Sequence, residues 1–424
     1  MNVGLRKRLP LGVAALTIVA LTAGPVAAAD PIVPNGATGA LGGQGATFPS
    51  LLYKSWMATY SQLNPGAYNQ TGDSSKGLVW SYNAIGSGAG KKAFYSTDAR
   101  KPSQLFSASD ALLSDAEKTS ISTAVGSYVM IPMALGPVAV VYNLPNLRQK
   151  ISKTSTTTRA ATLYLDGPTL GKIYAGIISR WNDPFIKSLN PLIVNLPNTR
   201  IVPVYRSDGS GTSFIFTTYL SKVSPPWRVA LGGKPSQTMA DKIGTMASKA
   251  NAVGAPGNEG VASTVTFTRG AIGYVELGYA YQLGLKYAWM RTGDPTNKYF
   301  VPPTTSGAQA AAAAAFAAGT ATDPVNPPTS DANTFFQPVN QKGRTAYPIS
   351  GYTWILLYGD YKGTNDPGLA DAQATVAFWQ WALSPSGGQA RMTALGYAPL
   401  PTAIAAEATA QLHTIKYNGS VIWP

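Results

Sequence analysis

Short runs of β-branched and other apolar residues alternate along the chain with longer stretches whose apolar positions recur at helical spacing. Residues 138–142 (VAVVY), 201–205 (IVPVY), 272–275 and 354–358 are apolar over four or five consecutive positions, which predicts strands buried on both faces. Helical spacing marks 50–62, 171–179, 212–220, 308–318 and 371–383. Such alternation predicts α/β layers built on mostly parallel sheets. Clusters of Gly, Pro, Ser and Thr separate the elements, with a Ser/Thr-rich loop at 150–159 and a Pro/Asn-rich stretch without periodicity at 320–348, both read as solvated loops. No internal repeat is present, and the alanine run at 308–318 needs only helix propensity to explain it.

The pattern at the start is of another kind. Arg6, Lys7 and Arg8 precede an apolar run over 9–23 that is shorter than the ~20 residues of a spanning helix. Ala27 and Ala29 then place small residues at −3 and −1, so residues 1–29 are expected to form a signal peptide cleaved before Asp30. No cysteine follows the run, so the expected product is exported and unlipidated, in a periplasm or secreted.

Composition narrows the chemistry. The 424 residues are 45% hydrophobic and 12% charged, which predicts a folded chain of two or three domains. Lys and Arg exceed Asp and Glu by 33 to 19, and removal of the leader's three bases leaves +11. The bases are scattered, with small clusters only at Lys91-Lys92, Arg100-Lys101 and 148–153, and no basic stripe is interleaved with aromatics. That argues for a surface that attracts anions in general and against nucleic acid as partner. Zero cysteines and one histidine, His413, exclude disulfides, thiolate nucleophiles, Cys-ligated zinc and multi-His metal sites, and leave a Ser-His-Asp triad only if His413 serves in it.

Three segments place a hydroxyl residue and a Gly-rich turn at the expected start of a helix: GATFPS (45–50), IGSGAG (85–90) and RSDGSGT (206–212). Helix starts carry unpaired N–H groups and the positive end of the dipole, and glycine lets backbone approach a ligand closely, so each is a potential oxyanion cradle. Arg206 adds a planar fork of donors that Asp208 could hold in place. Neither nucleotide-loop pattern fits 86–92 (GSGAGKK), since Ile85 and Lys92 stand where a Walker loop needs Gly and Ser or Thr. Ser210 lacks the Gly two positions on that a nucleophile elbow requires, and no Ser-x-x-Lys pair exists.

These segments, in order with SASDALLS (107–114), LDGPTLGKIYAGIISRWNDP (165–184), GNEGVASTV (257–265), GAIGYVELGYA (270–280) and YPISGYTWILL (347–357), resemble the substrate-binding proteins of phosphate-specific ABC transporters across nearly the whole mature chain. The resemblance implies a type II periplasmic-binding-protein fold, with two α/β domains joined by two crossover strands and a ligand cleft between them. One domain is expected at 30–132 plus 349–424, the other at 133–348. It implies phosphate held by Thr47, Phe48 (through its backbone N–H), Ser87, Asp110, Arg206, Ser210, Gly211 and Thr212, with Asp208 on the arginine. Asp110, by sequence alone, reads as a helix cap. The family's usual GSSGG loop departs here at Gly88 and Ala89.

The resemblance further implies a monomer that delivers inorganic phosphate to an ABC permease, with neither cofactor nor metal and no catalytic residues. A carboxylate in a dry cleft accepts a hydrogen bond from protonated phosphate, whereas ionised sulfate has no proton to give it, so Asp110 is expected to set the choice between them. Two other readings are a phosphatase on the same fold, set against the lack of His, Cys or clustered carboxylates in the cradle, and a secreted phosphate scavenger or adhesin, favoured by the basic, unlipidated chain.

Overall fold

The computed structural model describes residues 39–63, 78–97, 99–239, 251–294, 296, 299–318 and 338–422. The expected leader at 1–29 and most of the 320–348 stretch lie outside the described residues.

Nine strands form one sheet: β1 Gly39–Gly45, β2 Leu78–Ala84, β3 Phe106–Ser109, β4 Tyr128–Tyr142, β5 Val202–Arg206, β6 Val253–Ala255, β7 Ala271–Glu276, β8 Lys286–Tyr287 and β9 Ser350–Tyr358. Their order is β2-β1-β3-β9-β4-β7-β5-β6, with β8 also on β4. The helices include α1 Ser50–Leu63, α2 Ser87–Phe94, α3 Gly167–Tyr174, α4 Gly211–Val223, α5 Gly257–Phe267, α6 Thr305–Ala317 and α7 Leu369–Leu383.

The four apolar runs become β4, β5, β7 and β9, and β9 is buried along its whole length, as a run without alternation should be. The sheet is mixed, however, and not mostly parallel. β1 lies parallel to β2 and β3, and β5 parallel to β6 and β7, but β9 runs antiparallel to β3 and β4, and β4 antiparallel to β7. The reason is that β4 and β9 pass between the two parallel halves. β4 pairs with β9 from Tyr128 to Pro137 and with β7 from Val138 to Tyr142, so one continuous strand serves both halves. Its register slips at Thr353/Trp354, where Trp354 faces Pro132 and Thr353 faces Ala134. Pro132 offers no N–H to the ladder, and Gln389 Nε2 donates to the Met133 carbonyl left in the bulge.

Two other expectations shift. The helix expected at 171–179 runs Gly167–Tyr174, because the Asp166 side chain caps the Thr169 amide, Pro168 sits in the first turn and Gly176 follows the end at φ 72°. The 150–159 loop has structure at its ends, where Arg148–Lys150 pairs antiparallel with Thr158–Ala160. Among the missed elements, β1 is four-sevenths glycine and carries no strand signal. It is a strand because it lies close on both neighbours: a Cβ at Gly43 would stand 2.5 Å from the Phe106 ring.

Candidate functional site

The three Gly-rich segments start helices as expected, at Ser50, Ser87 and Gly211, and these starts meet. Hydrogen bonds link them across the two halves of the sheet. Gly88 N donates to the Gly209 carbonyl at 2.9 Å and Gly211 N to Ser87 Oγ at 3.1 Å. Gly86, at φ 93°, approaches the Asp208 carboxylate where any Cβ would strike it, so only glycine fits this turn. Gly88, one of the two departures from the family's loop, packs closely on Gly209: a Cβ there would lie 3.2 Å from Gly209 Cα, a tight contact that a small backbone shift would relieve.

A fourth helix start joins them. Asn258, in the first turn of α5, donates from Nδ2 to Thr47 Oγ1 and to Thr212 Oγ1, each at 3.1 Å. Through Asn258, Thr47 is joined to Thr212, Arg206 and Asp208, while Ser87 joins Asp110 to Gly211, the residue before Thr212. Phe48 follows Thr47 in the chain, and Ser210 precedes Gly211. Most of this set is dry; Arg206 and Asp110 are each 1% exposed.

The Arg206 loop is held by its own neighbours. Arg206 Nε donates to Asp208 Oδ1 at 2.7 Å and Nη2 to Oδ2, a two-point clamp that leaves the other guanidinium N–H groups for another acceptor. Nη1 reaches Thr212 Oγ1 at 3.4 Å. Burial alone would raise the Asp208 pKa, but its bonds and charge pairing with Arg206 and the Gly257 amide hold it below the ordinary carboxylate value. Ser210 Oγ caps α4 by accepting from Ser213 N, and Ser210 N donates to the Gln237 carbonyl, so its hydroxyl proton is the donor it can offer.

The Thr47–Phe48 backbone is held from far away. Tyr82, Tyr279 and Tyr397 donate their hydroxyls to the carbonyls of Ala46 (2.6 Å), Thr47 (3.0 Å) and Phe48 (2.5 Å). In a planar trans peptide the C=O and the following N–H point opposite ways, so pinning the first two carbonyls aims the Thr47 and Phe48 amides away from the tyrosines. Burial raises the pKa of all three phenols, which stay neutral donors.

Asp110 is not a helix cap. It follows β3, and Ser114 caps the next helix. Ser87 Oγ accepts from Asp110 N at 3.2 Å and donates to Asp110 Oδ2 at 3.4 Å. Burial pushes the Asp110 carboxyl up to about 7, against the Thr353 hydroxyl, the Arg206 charge and the Ser87 hydroxyl, which pull it down. Arg206 is balanced by Asp208, so the centre is a set of N–H and O–H donors with one carboxylate and little net positive charge. Such a set suits a small oxyanion that keeps one proton. A cleft of about 780 Å³ opens onto it between Lys54 on α1 and Glu259 on α5, with Thr47 and Asp208 in its wall.

The structure brings the sequence-predicted residues Thr47, Ser87, Asp110, Arg206, Gly211 and Thr212 together, whereas nothing in the sequence marks Asn258 and the three tyrosines beside them. Asn258 and Tyr279 stood inside quoted motifs with no local pattern to single them out, and Tyr397 lies 349 residues from its partner.

A mixed sheet in which the long strand β4 serves both parallel halves and β9 lies beside it, with polar helix starts meeting across them, defines a type II periplasmic-binding-protein-like architecture. A family model described as a PBP superfamily domain matches residues 33–386. The chain is 34% identical over 362 residues to the phosphate-binding protein PstS of Xylella fastidiosa, covering 85% of this chain and 81% of that one. It is 30% identical over 385 residues to PstS of Haemophilus influenzae, covering 90% and 95%. The crystal structure of a phosphate-binding protein from Stenotrophomonas maltophilia superposes with a TM-score of 0.60 at 21% identity, over 88% of this chain and 93% of that one, a likeness of fold. The chain belongs to the PBP superfamily and, within it, to the PstS phosphate-binding proteins.

Proposed function

We propose that this chain captures inorganic phosphate in the buried cradle of Thr47, Phe48, Ser87, Asp110, Arg206, Ser210, Gly211 and Thr212 and delivers it to the permease of an ABC importer. The observation that carries the reading is the Arg206 guanidinium, buried and clamped by Asp208, within a ring of donors that contains one carboxyl group. Two relatives named phosphate-binding protein PstS support it. The two domains, 30–132 with 349–424 and 133–348, close about β4 and β9, and the closed face is what a permease reads. The protein works as a monomer in the periplasm after its leader is removed; no helix among the described residues is long and apolar enough to cross a membrane.

Binding is the whole task in this reading. The cradle holds no histidine or cysteine, its one hydroxyl bonded to a carboxylate is Ser87 on Asp110, and His413 bonds Gln380 at 3.2 Å at the end of the last helix. The test is equilibrium dialysis of phosphate-stripped mature protein against labelled phosphate, with hydrolysis of a phosphomonoester followed in the same buffer. One phosphate held per chain without turnover supports the proposal. Failure to retain phosphate, or turnover lost on changing Ser210, contradicts it.

A further inference from the structure

Asn258 is buried in the first turn of α5 and belongs to none of the Gly-rich segments. Its side-chain oxygen accepts from the Glu276 backbone N–H at 3.3 Å, and a backbone N–H can only donate, so the amide has one orientation and Nδ2 faces the threonines. Its two N–H groups then go one each to Thr47 Oγ1 and Thr212 Oγ1. Thr47 Oγ1 also accepts from the Asn258 backbone amide at 3.2 Å, and Thr212 Oγ1 from Arg206 Nη1 at 3.4 Å.

A hydroxyl oxygen has two lone pairs and one proton. At both threonines the lone pairs are taken by donors, so the proton is all that is left to offer. Ser87 shows the contrast: its oxygen accepts from Asp110 N and Gly211 N, and its proton goes to Asp110. No hydrogen bond among the described residues takes the protons of Thr47 or Thr212.

We infer that Asn258 is a positioning residue that fixes Thr47 and Thr212 as obligate hydrogen-bond donors to the bound anion, and so forces the proton of the anion onto Asp110. This rests on the phosphate reading of the same site. Thr47 precedes α1 beside β1, whereas Thr212 starts α4 beyond β5, so the one amide also ties the two parallel halves of the sheet to each other through the groups that meet the ligand. The consequence is an anion with a fixed orientation. A P–OH turned toward either threonine finds no acceptor there for its proton, because both lone pairs of each hydroxyl are already taken.

Double-mutant cycles test the assignment, with inorganic phosphate affinity measured by calorimetry on the mature chain. Asn258→Ala is combined with Thr47→Val, with Thr212→Val and, as control, with Ser87→Ala. If Asn258 acts through the threonine hydroxyls, its loss falls by at least about threefold in each valine background and stays multiplicative in the Ser87→Ala background. A residue that merely supports the fold gives multiplicative losses in all three, which overturns the assignment. Asn258→Asp, of nearly the same shape, runs through the same cycles if the alanine variant does not fold, and the effect of its added charge on the anion cancels within each cycle. Wild-type protein that takes up no phosphate overturns the proposed function and this inference together; phosphate binding with multiplicative losses overturns this inference alone.

Discussion

The cradle is built in two different ways on its two sides. From Arg206 to Thr212 the main holding is within seven residues, where Asp208 clamps the guanidinium and Ser210 caps the helix that Thr212 enters, with Asn258 and Ser87 reaching Thr212 and Gly211 from outside. At Thr47 and Phe48 almost nothing local does the holding. Three tyrosines, 36, 232 and 349 residues away in sequence, fix the carbonyls, and Asn258 holds the hydroxyl. The first side is a folded-in device of one loop, whereas the second exists only once the whole sheet is assembled. Small changes at distant tyrosines should therefore be felt at Thr47 and Phe48, while the Arg206 side should be sensitive mainly to its own residues.

The largest effect is expected where one residue supplies charge. Arg206→Ala should lower phosphate affinity by about 2–5 kcal/mol in titration calorimetry, because the charge-assisted bonds of a buried guanidinium are lost and the half-buried Asp208 carboxylate is left without its counter-charge. An unchanged affinity would place the anion elsewhere.

Asp110→Asn comes next and should act on selectivity and stability in opposite directions. The variant should lose the discrimination against sulfate, read as sulfate affinity approaching that for phosphate. The folded carboxyl titrates near 7, above its ordinary value of 3.8, so the unliganded native state holds a proton that the unfolded chain has lost, and its stability falls as pH rises between those values. Asp110→Asn removes that penalty. Its ligand-free melting temperature should exceed that of wild type at pH 8, on the order of several degrees, with the gap closing toward pH 4. A gap that widens on acidification would contradict the assigned burial cost.

Asp208→Asn sharpens the comparison on the local side. It keeps the shape of the clamp and removes the counter-charge of the buried guanidinium, with an expected loss of about 1–3 kcal/mol in phosphate affinity and a lower melting temperature at neutral pH. Tyr279→Phe probes the other side at the smallest scale. Loss of one neutral hydrogen bond to the Thr47 carbonyl should weaken phosphate by roughly 1 kcal/mol. Equal insensitivity of affinity to Tyr82→Phe and Tyr279→Phe would mean that the amides of Thr47 and Phe48 are aimed by their own turn.

The same division explains what could be read from the chain. Arg206, Asp208, Ser210 and Thr212 were legible because a loop with a helix start carries its chemistry within a few positions. The buried strands β4, β5, β7 and β9 were legible because a run covered on both faces has nothing polar in it. β1 was not, since its glycines report close approach by Phe106 and Ala108 and resemble a turn in sequence. Asp110 looked like a helix cap because its partners, Ser87 and Arg206, come from other elements. Asn258 and the tyrosines carry no mark at all, for any Asn after a Gly or Tyr in an apolar run looks the same until the fold brings it to Thr47.

The most direct test of the central claim, that a ring of forced donors with one carboxyl group selects phosphate, is titration of stripped wild-type protein with phosphate and with sulfate at pH 8. The account predicts one phosphate per chain, with no sulfate heat at the same concentrations. Comparable binding of both ions would contradict it, because a cradle indifferent to the anion's proton has no use for Asp110.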